Sequence, residues 1–146
     1  MKLLVLNGPN LNMLGIREKH LYGAQTYEDL QLYILKKARE LDIDVEVYQS
    51  NHEGDVVDKI QGAYGNMDGI VINPAAYTHT SVAILDALKA VNLPAAEVHL
   101  TDITKREPFR QISYAGMACQ AHFMGFGFEG YGKAMEWMKE QIEKTE

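Results

Sequence analysis

The sequence predicts an α/β fold, a doubly wound parallel sheet with helices on both faces. Short apolar runs alternate along the chain with longer segments whose apolar residues recur at helical spacing. Strands and helices that alternate in this way imply parallel strands joined by right-handed crossovers. The length fits as well, because 146 residues, 47% hydrophobic and 23% charged, suit a single domain spanning 1–146.

Five apolar runs are the predicted strands. They are LLVL (3–6), VEVYQ (45–49), GIVIN (69–73), PAAEVHL (94–100) and ACQAHFMG (118–125). The second run alternates polar and apolar residues, so we expect it to be less buried than the others. For five parallel strands in a chain of this length, the flavodoxin-like order 2-1-3-4-5 fits best.

Four longer segments are the predicted helices. They are TYEDLQLYILKKAREL (26–41), DVVDKIQGAYG (55–65), SVAILDALKAV (81–91) and GYGKAMEWMKEQIEK (130–144). Thr26, with Asp29 three residues later, is typical of a helix N-terminus. The glycines of GFGFEG (125–130) match a dinucleotide-binding pattern, but Glu129 would direct a negative charge at a phosphate. We interpret these glycines as a tight turn into the last helix.

Composition excludes several classes of function. A formal net charge of −6 argues against a nucleic acid or an anionic membrane as the main partner. No apolar run approaches the ~20 residues of a spanning helix, and the N-terminus lacks a signal-peptide core, so we expect a cytoplasmic protein. The single cysteine, Cys119, can form no intrachain disulfide. We expect no metal site, because no H-E-x-x-H or C-x-x-C spacing occurs.

Polar residues follow the predicted strands at the points where they end. Asn10 comes after strand 1, Asn73 ends strand 3 and is followed by His79, and strand 4 carries Glu97 and His99. Period two places Glu97 and His99 on one side of their strand. Ligands of open α/β sheets bind outside the carboxyl ends of the strands, so these residues predict a pocket there.

Two other residues have simpler interpretations. His122 lies inside predicted strand 5, and we expect it to be a packed core histidine. Cys119 has no base near it in the sequence, and we interpret it as a strand residue, not a nucleophile. These patterns leave a flavin- or nucleotide-binding module open as an alternative to an enzyme.

Five blocks of the sequence resemble a known family. NGPNLNMLGIREKHLYG, QSNHEG, INPAAYTHTSVA, EVHL and KREPFR are similar to the signature blocks of type II 3-dehydroquinate dehydratase, in the same order along essentially the whole chain. The resemblance implies a flavodoxin-like lyase that works without a cofactor and assembles as a homododecamer, a tetramer of trimers. It implies dehydration of 3-dehydroquinate to 3-dehydroshikimate, in the shikimate pathway or in quinate catabolism.

The resemblance also implies roles for residues of this chain. Tyr22 would be the base, Arg17 its essential arginine, and His99, supported by Glu97, the general acid. Asn10 would hold a water that stabilises the enolate, and Arg106 would add positive charge near the tyrosine. The implied substrate-binding residues are Asn73, Leu100 and Thr101 for the carboxylate, His79 and Arg110 for the hydroxyls, and Asp86 from a neighbouring subunit.

One departure from the family pattern bears on binding. The family usually has Ser-Asn after this block, whereas this chain has Thr101-Asp102. Thr101 keeps a hydroxyl for the carboxylate contact. Asp102 adds a negative charge near an anionic substrate, so it raises the question of weaker binding.

Overall fold

The computed structural model describes residues 1–16 and 24–145. Its five parallel strands form one sheet in the order β2-β1-β3-β4-β5, which confirms the predicted topology. The strands are β1 (Lys2–Asn7), β2 (Asp44–Gln49), β3 (Gly69–Asn73), β4 (Ala95–His99) and β5 (Ala121–Met124). As expected, β2 is less buried than β1, β3 and β4.

Four helices of at least two turns cover the sheet within the described ranges. They are α1 (Tyr27–Glu40), α2 (Glu53–Ala63), α3 (Val82–Val91) and α4 (Glu129–Lys144). Thr26 caps α1 as predicted, because its side chain accepts from the Asp29 backbone and the Asp29 side chain accepts from the Thr26 backbone. Helix α2 begins two residues earlier than expected, after His52 in extended backbone. None of these helices is long and apolar enough to cross a membrane.

The hydrophobic core has two layers, one on each face of the sheet. Along β1, Leu3 and Val5 pack in the layer beneath α1 and α4, whereas Leu4 and Leu6 pack in the layer beneath α2 and α3. Successive residues of a strand point to opposite faces, so a strand buried on both sides reads as a continuous apolar run. This explains why LLVL, at the centre of the sheet, contains no polar residue.

Strand register brings polar residues to one edge. Asn7 at the end of β1 pairs with Asn73 at the end of β3, and Glu97 of β4 pairs with His122 of β5. The glycine-rich stretch after β5 is the predicted turn into α4, with Gly125 and Gly127 at φ of 85° and 59°.

The start of strand 5 was predicted wrongly. Strand 5 was expected from residue 118, but Ala115–Ala118 forms a 3₁₀ turn and β5 begins at Ala121. Cys119 is therefore not a strand residue, because its backbone N–H closes the turn by bonding to Gly116 O at 3.1 Å. Its side chain is buried, as predicted for a packing residue.

Candidate active site

A cavity of about 130 Å³ opens at the carboxyl ends of β1, β3 and β4. This is the edge at which parallel sheets bind ligands. Eight of the residues predicted for the site line it: Asn10, Asn73, His79, His99, Leu100, Thr101, Arg106 and Arg110.

Two of the other predicted site residues, Glu97 and Asp86, are described and do not line the cavity. Arg17 and Tyr22 lie outside the described residues. Glu97 is completely buried behind His99, which separates it from the cavity. Asp86 is exposed on α3.

His99 and Glu97 form a buried pair at the base of the cavity. His99 Nε2 donates to Glu97 Oε2 at 2.8 Å, as their spacing of two along β4 predicts. Burial alone would raise the pKa of the Glu97 carboxyl, but hydrogen bonds and the charge of His99, with donors from Ser113 and His122, lower it to about 2. The pair thus presents an imidazole with a permanently charged carboxylate behind it.

Two partners of Glu97 were missed by sequence reasoning. Ser113 donates its hydroxyl to Oε2, and His122 Nδ1 donates to Oε1 at 2.8 Å. The prediction that His122 is a packed core histidine is wrong, because β5 is an edge strand and the His122 side chain is 45% exposed. The available signal was a histidine on the predicted strand next to the strand that carries Glu97.

His79 is held in one tautomer. Its Nδ1 donates to the backbone oxygen of Ile112 at 2.8 Å. Burial lowers the pKa of His79, and the nearby charges of His99, Arg110 and Arg106 lower it further, against the bond to Ile112. His79 is therefore a neutral imidazole whose Nε2 can accept a hydrogen bond.

Two arginines bring positive charge to the cavity. Arg110 Nε donates to Glu107 Oε2 at 2.9 Å, and Arg106 Nε lies 3.8 Å from the other oxygen of the same carboxylate. Glu107 bridges the two side chains from outside the cavity, which it does not line. The arrangement fixes two guanidinium groups against a cavity suited to an anion.

Asn73 belongs to a buried chain of hydrogen bonds that the sequence did not reveal. Asn73 Nδ2 donates to Tyr131 Oη at 3.0 Å, and Tyr131 Oη donates to Asn7 Oδ1 at 2.6 Å. Asn73 Oδ1 accepts from the Ala75 backbone at 3.1 Å. With both ends of its amide bonded, Asn73 is fixed in one orientation at the cavity wall. Tyr131 was not among the predicted site residues.

The loops around Asn10 and Asp102 have a specific backbone structure. Asn10 adopts a left-handed conformation with φ of 70°, and its N–H bonds to Asn51 Oδ1 at 3.0 Å. The Asp102 carboxylate accepts from the backbone N–H and the hydroxyl of Thr104, at 3.0 and 2.6 Å, and does not line the cavity. The carboxylate of Asp102 is therefore used as a helix cap beside the site.

A model of the family described as dehydroquinase class II matches residues 1–139. The chain belongs to this family. A 3-dehydroquinate dehydratase of Clostridium acetobutylicum is 50% identical over 144 residues, covering 99% of this chain and 100% of the relative. The chain is thus a dehydroquinase of class II by sequence along its whole length, which favours an enzyme over a flavin-binding module.

Solved structures of other class II dehydroquinases have the same fold. The type II dehydroquinase from Butyrivibrio crossotus superposes with a TM-score of 0.93 at 51% identity, covering 95% of this chain and 97% of that one. The enzyme from Propionibacterium acnes gives a TM-score of 0.90 at 41% identity, with 94% of each chain covered.

Proposed function

We propose that this class II dehydroquinase converts 3-dehydroquinate to 3-dehydroshikimate by anti elimination through an enolate. Tyr22 takes the proton next to the ketone, and His99 gives a proton to the leaving hydroxyl. The observation that carries the proposal is the buried Glu97–His99 pair facing a cavity that two arginines also line. That combination supplies an acid and a place for an anion in one site.

The geometry of His99 supports the acid half of the reaction. Its Nε2 is bonded to Glu97, so Nδ1 is the nitrogen that serves the substrate. Carbon–oxygen cleavage builds negative charge on the departing hydroxyl, and protonation by His99 converts it to water. The charged carboxylate of Glu97 favours the imidazolium form that this step consumes.

The base half rests on Tyr22 and Arg17, by resemblance to the family. A tyrosine with a pKa of ~10 is about one part in a thousand phenolate at neutral pH. A guanidinium beside it favours the phenolate, and Arg17 is five residues away on the same segment. After proton transfer the charge moves to the ketone oxygen, where a water held by Asn10 stabilises the enolate. Arg106 adds positive charge to this part of the site.

Substrate binding uses the remaining cavity residues. The substrate carboxylate is held by the amide of Asn73, the Thr101 hydroxyl and the backbone N–H groups of Leu100 and Thr101. His79 accepts a hydrogen bond from a substrate hydroxyl through Nε2, and Arg110 donates to another. The fixed amide of Asn73 and the fixed tautomer of His79 favour one orientation of the ring.

Turnover of 3-dehydroquinate by the purified protein tests the proposal. The product is a conjugated enone, so we expect ultraviolet absorbance to increase with time. Borohydride added with substrate should leave the enzyme active, because no lysine forms an imine. We expect Tyr22→Phe to bind substrate and to lose most of kcat. Folded protein that gives no enone, or that is purified yellow with bound flavin, would contradict the proposal.

We also infer a cytoplasmic homododecamer, a tetramer of trimers, from the family resemblance. The exposed position of Asp86, which does not line the cavity of its own chain, supports a role across a subunit boundary. The mass of the active protein in solution tests this assembly. An active monomer would contradict the role of Asp86.

A further inference from the structure

The carboxylate of Glu97 is held by donors from three separate segments. His99 on β4 and Ser113 in the following loop both donate to Oε2. Oε1 accepts from His122 on β5, at 2.8 Å, and from no other group of the described residues. One oxygen of a fully buried carboxylate therefore depends on a side chain from the edge strand.

The surroundings of Glu97 leave its carboxylate little freedom. A Cβ added at Gly116 would lie 2.6 Å from Glu97 Oε1, so the Gly116 backbone closes that side. Ser113 Oγ accepts from the Gly116 N–H at 2.9 Å, which directs the Ser113 hydroxyl proton to Glu97. Strand pairing places His122 directly opposite Glu97. The position of Oε1 is thus set by packing on one side and by His122 on the other.

The titratable groups that meet at Glu97 are His99, His122 and Cys119. Burial, with a smaller effect of the Glu97 charge, raises the pKa of the Cys119 thiol to about 12, so Cys119 stays neutral. Two imidazoles therefore share one negative charge. They differ in access, because the His99 side chain is 7% exposed and that of His122 is 45% exposed. His122 can exchange protons with solvent while His99 faces the cavity.

We propose that His122 is a positioning residue for the general acid. The hydrogen bond from His122 Nδ1 holds the Glu97 carboxylate so that Oε2 meets His99. The same bond draws part of the negative charge of Glu97 away from His99, and a full negative charge there would make the His99 imidazolium a weaker acid. The inference rests on the proposed function, in which His99 protonates the leaving hydroxyl. A hydrogen bond to a carboxylate is a known way to fix the ring orientation of a histidine and to change its basicity.

Two substitutions separate this role from simple packing. His122→Leu removes the donor, whereas His122→Asn places an amide N–H near the position of Nδ1 without a titrating ring. We expect His122→Leu to lower kcat about tenfold with KM changed less than about twofold. The basic limb of the kcat–pH profile of His122→Leu should move to higher pH. Without the bond to His122, the Glu97 carboxylate directs more of its negative charge at His99 and stabilises the His99 imidazolium. His122→Asn should restore most of kcat.

A control and a second measurement complete the test. Tyr64→Leu removes another exposed ring, at the end of α2 away from the cavity, and should leave kcat and its pH profile unchanged. An NMR titration of the His99 imidazole, which needs no turnover, should have a higher midpoint in His122→Leu than in the wild type.

The outcomes distinguish this inference from the proposed function. A wild type without turnover defeats the proposed function, and the NMR titration then still tests the coupling of His122 to His99. If the wild type is active and folded His122→Leu has unchanged kcat, pH profile and His99 titration, the inference is wrong. Equal losses in the Leu and Asn variants, with no change in pH profile, would mean that the ring only packs, and would also overturn it.

Discussion

Replacement of Glu97 by glutamine should make the protein less sensitive to acid. The Glu97 carboxyl is completely buried and its pKa is lowered from 4.5 to about 2. At 1.36 kcal/mol per pKa unit, this depression corresponds to about 3 kcal/mol. Because the folded pKa is the lower one, the stabilisation is present above about pH 4.5 and is lost as the pH falls toward about 2.

Glu97→Gln keeps the shape of the side chain and removes the titration. We expect the variant to be less stable than the wild type at neutral pH, because its amide N–H₂ must face a donor. Between about pH 4.5 and about 2, however, the wild type should lose about 3 kcal/mol more of its free energy of unfolding than the variant does.

Urea unfolding at fixed protein concentration measures these differences, since assembly would shift stability by mass action. Glu140→Gln, at an exposed position of α4, is the matched control and should keep the acid sensitivity of the wild type. If Glu97→Gln and the wild type lose stability in parallel below about pH 4.5, the Glu97 carboxylate does not titrate as described.

Three other substitutions test the surroundings of the site, and a fourth, Gly62→Ala in α2, is a control for one of them. Tyr131→Phe should cost about 1–3 kcal/mol of unfolding free energy, because it leaves the buried Asn7 oxygen without its donor. It should also raise KM, because it frees the Asn73 amide that is proposed to bind the substrate carboxylate. Gly116→Ala should lower kcat and the free energy of unfolding, because the added Cβ would lie 2.6 Å from Glu97 Oε1. In the control Gly62→Ala the added Cβ meets open space on α2, so the free energy of unfolding should rise by up to about 1 kcal/mol. Asp102→Asn should change KM less than about twofold, because the carboxylate already caps the next turn.

Each of these expectations has a result that contradicts it. A Tyr131→Phe variant with the KM and the urea midpoint of the wild type would show that Asn73 needs no support. Gly116→Ala with normal kcat would show that the carboxylate can move without consequence. A KM that falls about tenfold in Asp102→Asn would mean that Asp102 repels the substrate through space.

The sequence predicts the parts of the fold that repeat along the chain. LLVL (3–6) and GIVI (69–72) are apolar at every position, which predicts strands buried on both faces of the sheet. The α1 cap follows from Thr26 and Asp29. The pocket follows from the same logic, since Asn73 and His99 end neighbouring buried strands. The strands, the helix cap and the polar strand ends all follow from the spacing of residues close together in the chain, and this spacing can be read from one sequence.

The supporting residues of the site depend on long-range placement instead. His122 contacts Glu97 across 25 positions and Tyr131 contacts Asn7 across 124. Nothing in the local pattern of His122 or Tyr131 indicates these partners, because an edge strand and a helix face are compatible with plain packing.

In the proposed function His99, backed by Glu97, protonates the leaving group of 3-dehydroquinate. The most direct measurement is kcat of His99→Asn at saturating substrate, with the fold checked by circular dichroism. We predict a loss of at least about a hundredfold in kcat, the usual contribution of a general acid, with KM little changed. A folded His99→Asn variant that forms the enone at near the wild-type kcat would contradict the account.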